Sequence, residues 1–274
     1  MRLFGHKLTL SAQIGLVIIA VNVVAAILAP FIAPYPEADI VGTAWGPPSA
    51  EHWFGLDNLG RDVFSRILYG ARMTIGLGLL ITLLAFLLGT IAGFAAAILG
   101  RWVDTVLSRL ADLMLSMPTL IFALVVLSVM GTDIPVLIIT VGLLYSVPVF
   151  RLARAVAMNI AVLEYVEAAK LRGEGLWWII RREILPNALP PLVAEFGLRF
   201  CFTFLFIAAL SFLGLGIQPP QADWGSMVKE TGQMIALRPI ALYPAGAIAL
   251  LTIGVNLVVD WLLAIHSRGH GEEV

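Results

Sequence analysis

The chain has 274 residues, of which 60% are hydrophobic and 13% charged, with a net charge of −1. A soluble domain is typically about 45–50% apolar, so a purely aqueous fold is excluded and lipid is the natural solvent. The near-neutral balance offers nothing to a nucleic acid, and the single cysteine, Cys201, excludes a disulfide framework within the chain.

An apolar run of about 20 residues crosses the hydrocarbon core as a helix, and six such runs follow one another. Residues 1–13 are a basic lead-in carrying Arg2 and Lys7, and the first span is 14–33. It is long for a signal peptide and no clean A-x-A site follows it, so a retained anchor is expected. Residues 34–70 are rich in Pro, Gly, Trp and Asp, which suits an ordered segment with short helices. The core of the chain is placed at 71–265. Its first span, within 73–100, has no charge and carries Gly89-x-x-x-Gly93, a pair that lets another helix approach closely. Packing within the chain is the favoured use of that pair. The next spans are 104–132, with a charged lead-in from Asp104, and 134–157. A loop at 158–190 separates them from spans at 191–217 and 240–265, which flank a second polar segment, 218–239. Residues 266–274 form a tail. The predicted fold class is therefore all-α, a polytopic membrane protein with six transmembrane helices.

The positive-inside rule orients this bundle. With both termini in the cytoplasm, eleven Lys and Arg residues fall inside and five outside, and the densest basic cluster, Arg151 to Arg182, is inside. Segments 34–70 and 218–239 then face out.

Ionisable residues in membrane helices are functional candidates. Arg109 and Asp112 stand three apart, Glu195 and Arg199 four apart, and both spacings permit pairing on one helix face. Asp260, near the inner end of the last span, could pair with a neighbouring helix. Ion pairing in the bundle or at an inner gate is favoured over a proton relay, because no line of carboxylates crosses the midplane. The same observation argues against the alternative of an ion-coupled secondary transporter or channel. A membrane enzyme would show a reactive cluster at one interface, and none is legible. There is no phosphate-binding GxxxxGK[ST] loop and no HExxH. His266 and His270 lie in the tail, where nothing preorganises a metal site. No catalytic residue, metal or cofactor is expected on this chain.

The loop at 158–190 is more informative. Glu164 to Leu171 is made of helix formers. Gly173 and Gly175 then permit a tight turn. Leu176 to Leu185 forms a second helical pattern, with Leu176, Ile179, Ile180, Ile184 and Leu185 on an apolar stripe and Arg181, Arg182 and Glu183 polar. Pro186, which lacks a backbone donor, is expected to stop it. Two short helices joined by a glycine elbow form a docking surface for a soluble partner.

In this loop Glu167-Ala168-Ala169, then Gly173, then Ile184-Leu185-Pro186 stand at the spacing of a known signature. The pattern resembles that of ABC importer permeases of the binding-protein-dependent transport family, which have the type I importer fold. Arg172, before the glycine, and Glu174-Gly175, after it, depart from the small or apolar residues usual there. The stretches His52–Arg72, Asp112–Ile121 and Ser211–Val228 are similar to the dipeptide, oligopeptide and nickel permease group, in its second permease partner type. The resemblance covers about residues 10 to 265. It implies half of a pore in a bacterial inner membrane. A second homologous permease subunit, two ATP-binding subunits holding ATP and Mg, and an extracytoplasmic substrate-binding protein would complete the assembly. The cargo would be peptides or a related small solute such as a nickel complex. By the same resemblance Glu167 faces polar or basic groups on the ATPase, Ala168 and Ala169 allow close approach, and Gly173 forms the elbow. Asp62 and Asp223, in the two outward segments, are candidate contacts for the binding protein.

Overall fold

The first helix, α1 (Leu10–Ile32), starts where the Thr9 hydroxyl accepts a hydrogen bond from the Ala12 amide, four residues earlier than the apolar run alone suggested. The structure is a computed structural model that describes residues 2–3, 6–232, 234 and 238–269. Apart from a two-residue antiparallel pairing of Arg2–Leu3 with His6–Lys7, every element among the described residues is helical. Five helices are long and apolar enough to cross a membrane, and a bent pair supplies a sixth candidate.

Helix α2 (Val63–Leu99) has 37 residues and begins ten residues before the expected 73. Asp62 caps it, and its first turns are polar because they are buried in protein rather than in lipid. At about 55 Å it is far longer than a hydrocarbon core of about 30 Å, so it projects beyond the bilayer. Its partner along most of that length is α5 (Ile134–Ala161). Gly89 and Gly93 set the contact. A Cβ on Gly89 would lie 2.6 Å from the Ser146 carbonyl oxygen, and one on Gly93 would lie 2.8 Å from Ala153 and from the Phe150 carbonyl oxygen. The small-residue pair thus seats α5 within the chain.

The single span expected at 104–132 is two helices. Helix α3 (Arg101–Leu115) and α4 (Thr119–Met130) meet at 86°. Pro118 stands at the corner: it supplies no amide donor, and it biases Met117 away from helical geometry. The two halves also differ in character. One face of α3 buries Ala111 beside Leu107 and Met114, while Trp102, Arg109 and Leu110 stay exposed. Helix α4 is apolar throughout but only about 18 Å long.

Beyond α5, the short helices α6 (Glu164–Leu171) and α7 (Leu176–Ile179) lead through one π-helical turn, Ile180–Ile184, into α8 (Leu185–Leu213). Helix α9 (Trp224–Gly232) folds back onto α8, and α10 (Leu242–Gly269) packs along α1. The expected tail at 266–274 is helical as far as Gly269. His270 and the four residues after it lie outside the described residues, as do 233 and 235–237 of the expected loop 218–239.

Three apolar clusters stack along the bundle. Trp224, Phe204, Val63 and Leu251 fill the end bearing α9. Ile81, Leu127, Val141 and Ile207 fill the middle. Phe94, Ala153, Val166, Ile179 and Ile184 fill the end bearing α6.

Gly89→Val tests the α2–α5 seam. Overpacking of this kind costs about 1–3 kcal/mol. The expected result is a lower unfolding midpoint in detergent and less protein accumulated in the membrane; the same exchange at Gly76, where a Cβ would meet nothing within 4 Å, should leave both unchanged.

Candidate functional site

The residues of the signature gather at the α6 end of the bundle, but they do not all face the same way. Val166 and Ala169, three positions apart on α6, are fully buried against Ala153, Ala157, Ile160, Ile179, Ile184 and Ala188. The opposite face of α6 carries Glu164, Glu167 and Ala168 into solvent. The pair Ala168-Ala169 is therefore divided: Ala169 seats the helix and Ala168 leaves its outer surface low. Glu164 and Glu167 lie in the first turn, where a negative charge favours the helix dipole, and Lys170 lies in the last. The Lys170 ammonium also donates to the Ala161 carbonyl at 3.3 Å, which closes the end of α5. Burial, then the nearby Glu183 carboxylate, raises the Tyr165 phenol above its ordinary pKa.

The elbow is a Schellman motif. The Glu174 amide donates to the Ala169 carbonyl at 3.2 Å and the Gly173 amide to the Lys170 carbonyl at 3.0 Å. Gly173 has φ +79, and a Cβ there would meet nothing within 4 Å. Backbone conformation, not space, calls for glycine. Arg172 sits at the helix cap with its guanidinium carbon 5.9 Å from the centroid of Trp178, so this departure from the usual residue is spent on a cation–π contact inside the loop.

Pro186 does not end the second loop helix. The helix runs on from Leu176 to Leu213 as one body. The π turn is the reason: the Leu185 amide donates to the Ile180 carbonyl, five residues back, and this widening precedes the proline ring. Ile184 is 1% exposed and Leu185 is half-buried, so both anchor the loop; Pro186 is exposed. Beside the acidic face of α6, the outside of the loop carries an apolar and basic surface: Leu171 (89% exposed), Trp177 (73%) and Leu176, with Arg181 and Arg182. Such a surface, carried on helices tied to the bundle, suits a soluble protein partner.

Of the charged candidates, Glu195 and Arg199 form the expected ion pair on α8. Arg109 and Asp112 do not pair. Asp112 instead accepts from Arg151 at 2.7 Å, and Asp104 pairs with Arg154, whose Nη2 lies 2.6 Å from Oδ2. Arg109 is exposed and in no ion pair among the described residues. The i,i+3 reading was wrong because Asp112 turns toward α5. Together these pairs bind α3 to α5, and Asp112, Arg151 and Arg154 line, with Ser108, a polar cavity of about 440 Å³. Asp260 is exposed and forms no ion pair among the described residues, so the partner expected on a neighbouring helix is not found.

Asp62 and Asp223 are also corrected. Asp62 is 3% and Asp223 0% exposed, so neither carboxylate can meet a partner protein. Asp62 accepts from the Ser65 amide at 2.8 Å and hydroxyl at 2.7 Å, and from His52 at 3.1 Å. Asp223 accepts from the Gly225 amide at 2.9 Å at the start of α9. Burial pushes the Asp223 carboxyl above the usual carboxylate range, against the opposing effect of the bonds from Ser226 and Gly225. Beside them, sequence reasoning missed a buried charge network. Arg66, 1% exposed, reaches Asp57 at 3.4 Å, Glu230 at 3.4 Å and the Glu37 carbonyl at 3.2 Å. Arg61 joins Asp57 at 2.7 Å and Glu230 at 2.9 Å. The network ties the 34–70 segment to α2 and α9. The large exposed apolar side chains of that segment are Ile40, Trp53 and Leu59.

Comparison with known proteins bears on both ends. Residues 85–270 match the family described as binding-protein-dependent transport system inner membrane component. Residues 2–47 match the N-terminal TM domain of oligopeptide transport permease C. The chain is 38% identical to the dipeptide transport system permease protein DppC of Alkalihalophilus pseudofirmus, over 92% of this chain and 83% of that one. It is 35% identical to the probable D,D-dipeptide transport system permease protein DdpC of Escherichia coli (93% and 86%). It is 36% identical to the glutathione transport system permease protein GsiD of Pectobacterium atrosepticum (78% and 72%). In fold it is similar to an inward-facing structure of the MetNI methionine ABC transporter, with a TM-score of 0.61 at 15% identity, covering 73% of this chain and 95% of that one.

Replacing Asp62 by Ala removes a helix cap worth about 0.5–2 kcal/mol. Replacing Glu230 by Ala strips a partner from two buried arginines and should cost more, about 3–5 kcal/mol. Thermal unfolding of the purified variants in detergent should rank them in that order; a Glu230→Ala midpoint equal to that of the wild type would show that the network carries no stability.

Proposed function

Because the chain belongs to the family of binding-protein-dependent transport system inner membrane components, we propose that it is the permease subunit of an ABC importer whose cargo is a peptide. The observation that carries the reading is the bent loop: a short helix with a low, acidic outer face, a glycine elbow, and a second helix continuous with a spanning helix. The relatives named as dipeptide and D,D-dipeptide permeases point to the cargo class.

In this reading α6 seats in a groove on an ATP-binding subunit. Glu167 and Ala168 face that subunit. Val166, Ala169, Ile184 and Leu185 fasten the loop to the bundle, and Gly173 lets α6 and α7 stand at an angle. Two such subunits bind ATP and Mg and close on each other, and the loops of two permeases are drawn together. Each permease then passes between an inward-open and an outward-open arrangement, whose balance the partner sets through its different affinity for the two. Hydrolysis happens on the partner and this chain supplies no reacting group. A second homologous permease completes the pore, and both termini lie in the cytoplasm. On the outer side, the binding protein delivers cargo to a surface that includes Ile40, Trp53 and Leu59. Those exposed residues take the place of Asp62 and Asp223.

Affinity purification of the wild-type chain from its own cells should bring down ATP-binding subunits and a second permease. Leu171→Glu, on the outer face of the loop, should reduce recovery of the ATP-binding subunits about tenfold, as expected for a contact residue worth more than 1 kcal/mol. Gly173→Val, which forces a branched side chain into φ +79, should lower cargo uptake per ATP hydrolysed. A wild-type chain that purifies without any ATP-binding subunit would overturn the reading.

A further inference from the structure

The only charged residues of α8 are Glu195 and Arg199. Arg199 is fourteen residues from each end of the helix, or about 21 Å along it. That places it inside the depth of a hydrocarbon core about 30 Å thick. The pair is not sealed in the bundle: the Arg199 side chain is 23% and that of Glu195 16% exposed. Phe202, three residues on from Arg199 and so on the same helix face, is 51% exposed. Its ring lies 5.6 Å from the Arg199 guanidinium carbon. The Tyr145 hydroxyl, from α5, donates to the Phe202 carbonyl at 3.3 Å, and its ring meets Phe206 edge-on at 5.5 Å.

Ionisable residues within membrane helices, paired ones included, face the bundle interior or a water-filled cavity rather than lipid, so this face of α8 is turned to water or protein. Each charge is already neutralised by the other within the chain, so no second polypeptide is needed to compensate it. The face also lies on the helix that the loop drives directly. We infer that Glu195 and Arg199, with Tyr145 and Phe202, form a contact point on the translocation path for the two ends of a zwitterionic peptide. This inference rests on the importer reading. Arg199 offers its guanidinium to the peptide carboxylate and Glu195 its carboxylate to the peptide ammonium, so the cargo exchanges with a resident pair of the same two charges. The ring of Phe202 supplies an apolar wall that has no preference among side chains. A contact of this kind passes peptides irrespective of sequence, because it reads what all of them share.

The test uses the intact importer, with its partner subunits and binding protein, in proteoliposomes, and radiolabelled dialanine as the probe. Absence of ATP-driven uptake by the wild type would strike the importer reading itself. Given wild-type uptake, Glu195→Gln together with Arg199→Gln should lower dialanine taken up per ATP hydrolysed by about tenfold or more, the worth of hydrogen bonds to charged groups. A merely structural pair predicts otherwise, because two glutamines at the same positions can hydrogen-bond each other in its place; wild-type uptake in the double variant would overturn the inference. Phe202→Cys, in a Cys201→Ser background, gives a readout that survives if the double variant fails to assemble. A water-soluble thiosulfonate should label it, and dialanine should slow the labelling. A cysteine that stays unlabelled would place this face out of the path and overturn the proposal.

Discussion

The contact of Val166 and Ala169 with Ile179 and Ile184 is the one on which the loop depends. An isolated helix of eight residues is unstable in water, since nucleation costs more than so few hydrogen bonds return. Helix α6 therefore exists only while its inner face is buried. Burial of each Val or Ile side chain contributes about 1.5–3 kcal/mol, enough to hold so short a helix. Because its folding and its seating are the same event, α6 cannot slide freely over the bundle. It moves with the cluster beneath it, and that cluster includes Ala188 and Leu192 of α8. The Schellman elbow adds direction. It sets the angle between α6 and α7 through two backbone bonds, independent of any side chain except the missing one at Gly173.

The other end of the bundle is held by different means. Buried arginines bridge carboxylates from the 34–70 segment and from α9, and the amide of Ala222 donates to the Glu37 carboxylate at 2.8 Å. Charge networks are directional and intolerant of a lost partner, whereas apolar packing tolerates small shifts. The contrast suits the two ends. The α9 end keeps one geometry, tied at several points in the sequence, and the α6 end can transmit small displacements without breaking a discrete bond.

Much of this was legible in the sequence. Five spans follow from apolar runs that admit only one solvent, and the elbow follows from Gly173 and its neighbours. The places where sequence reasoning failed have specific causes. Pro118 breaks a helix while Pro30, Pro148, Pro190 and Pro191 lie inside helices, so proline in an apolar run is ambiguous until its neighbours are known. The π turn before Pro186 has no signature beyond the proline itself. Asp104, Asp112, Arg151 and Arg154 pair between helices across 39 and 50 residues of sequence, which spacing rules cannot see. Asp62 and Asp223 each stand at the start of a helix, where the carboxylate accepts from the amide three residues on, that of Ser65 or Ser226. An Asp immediately before a helical run, as before Val63 and Trp224, is the pattern of a cap, and a cap has its carboxylate already spoken for. The Arg66 network had no local pattern at all, since its members come from residues 37 to 230.

The route from the loop to the Glu195–Arg199 pair is short and has one soft place. Between Ile184 and Glu195 the helix contains Pro186, Pro190 and Pro191, none of which supplies a backbone donor. The Asn187 side chain returns one bond, donating to the Glu183 carbonyl at 2.6 Å. A helix that lacks donors bends there in preference to elsewhere. Of the buried side chains in this stretch, Ala188 and Leu192 face the same cluster that holds α6. Bending is therefore guided on one side by packing and left free on the other, where Leu189 and Val193 are exposed. Glu195 and Arg199, three and seven residues beyond Leu192, continue the stripe of Ala188 and Leu192 up the helix, so in the proposed importer a displacement of the cluster under α6 reaches the ion pair along one face of α8.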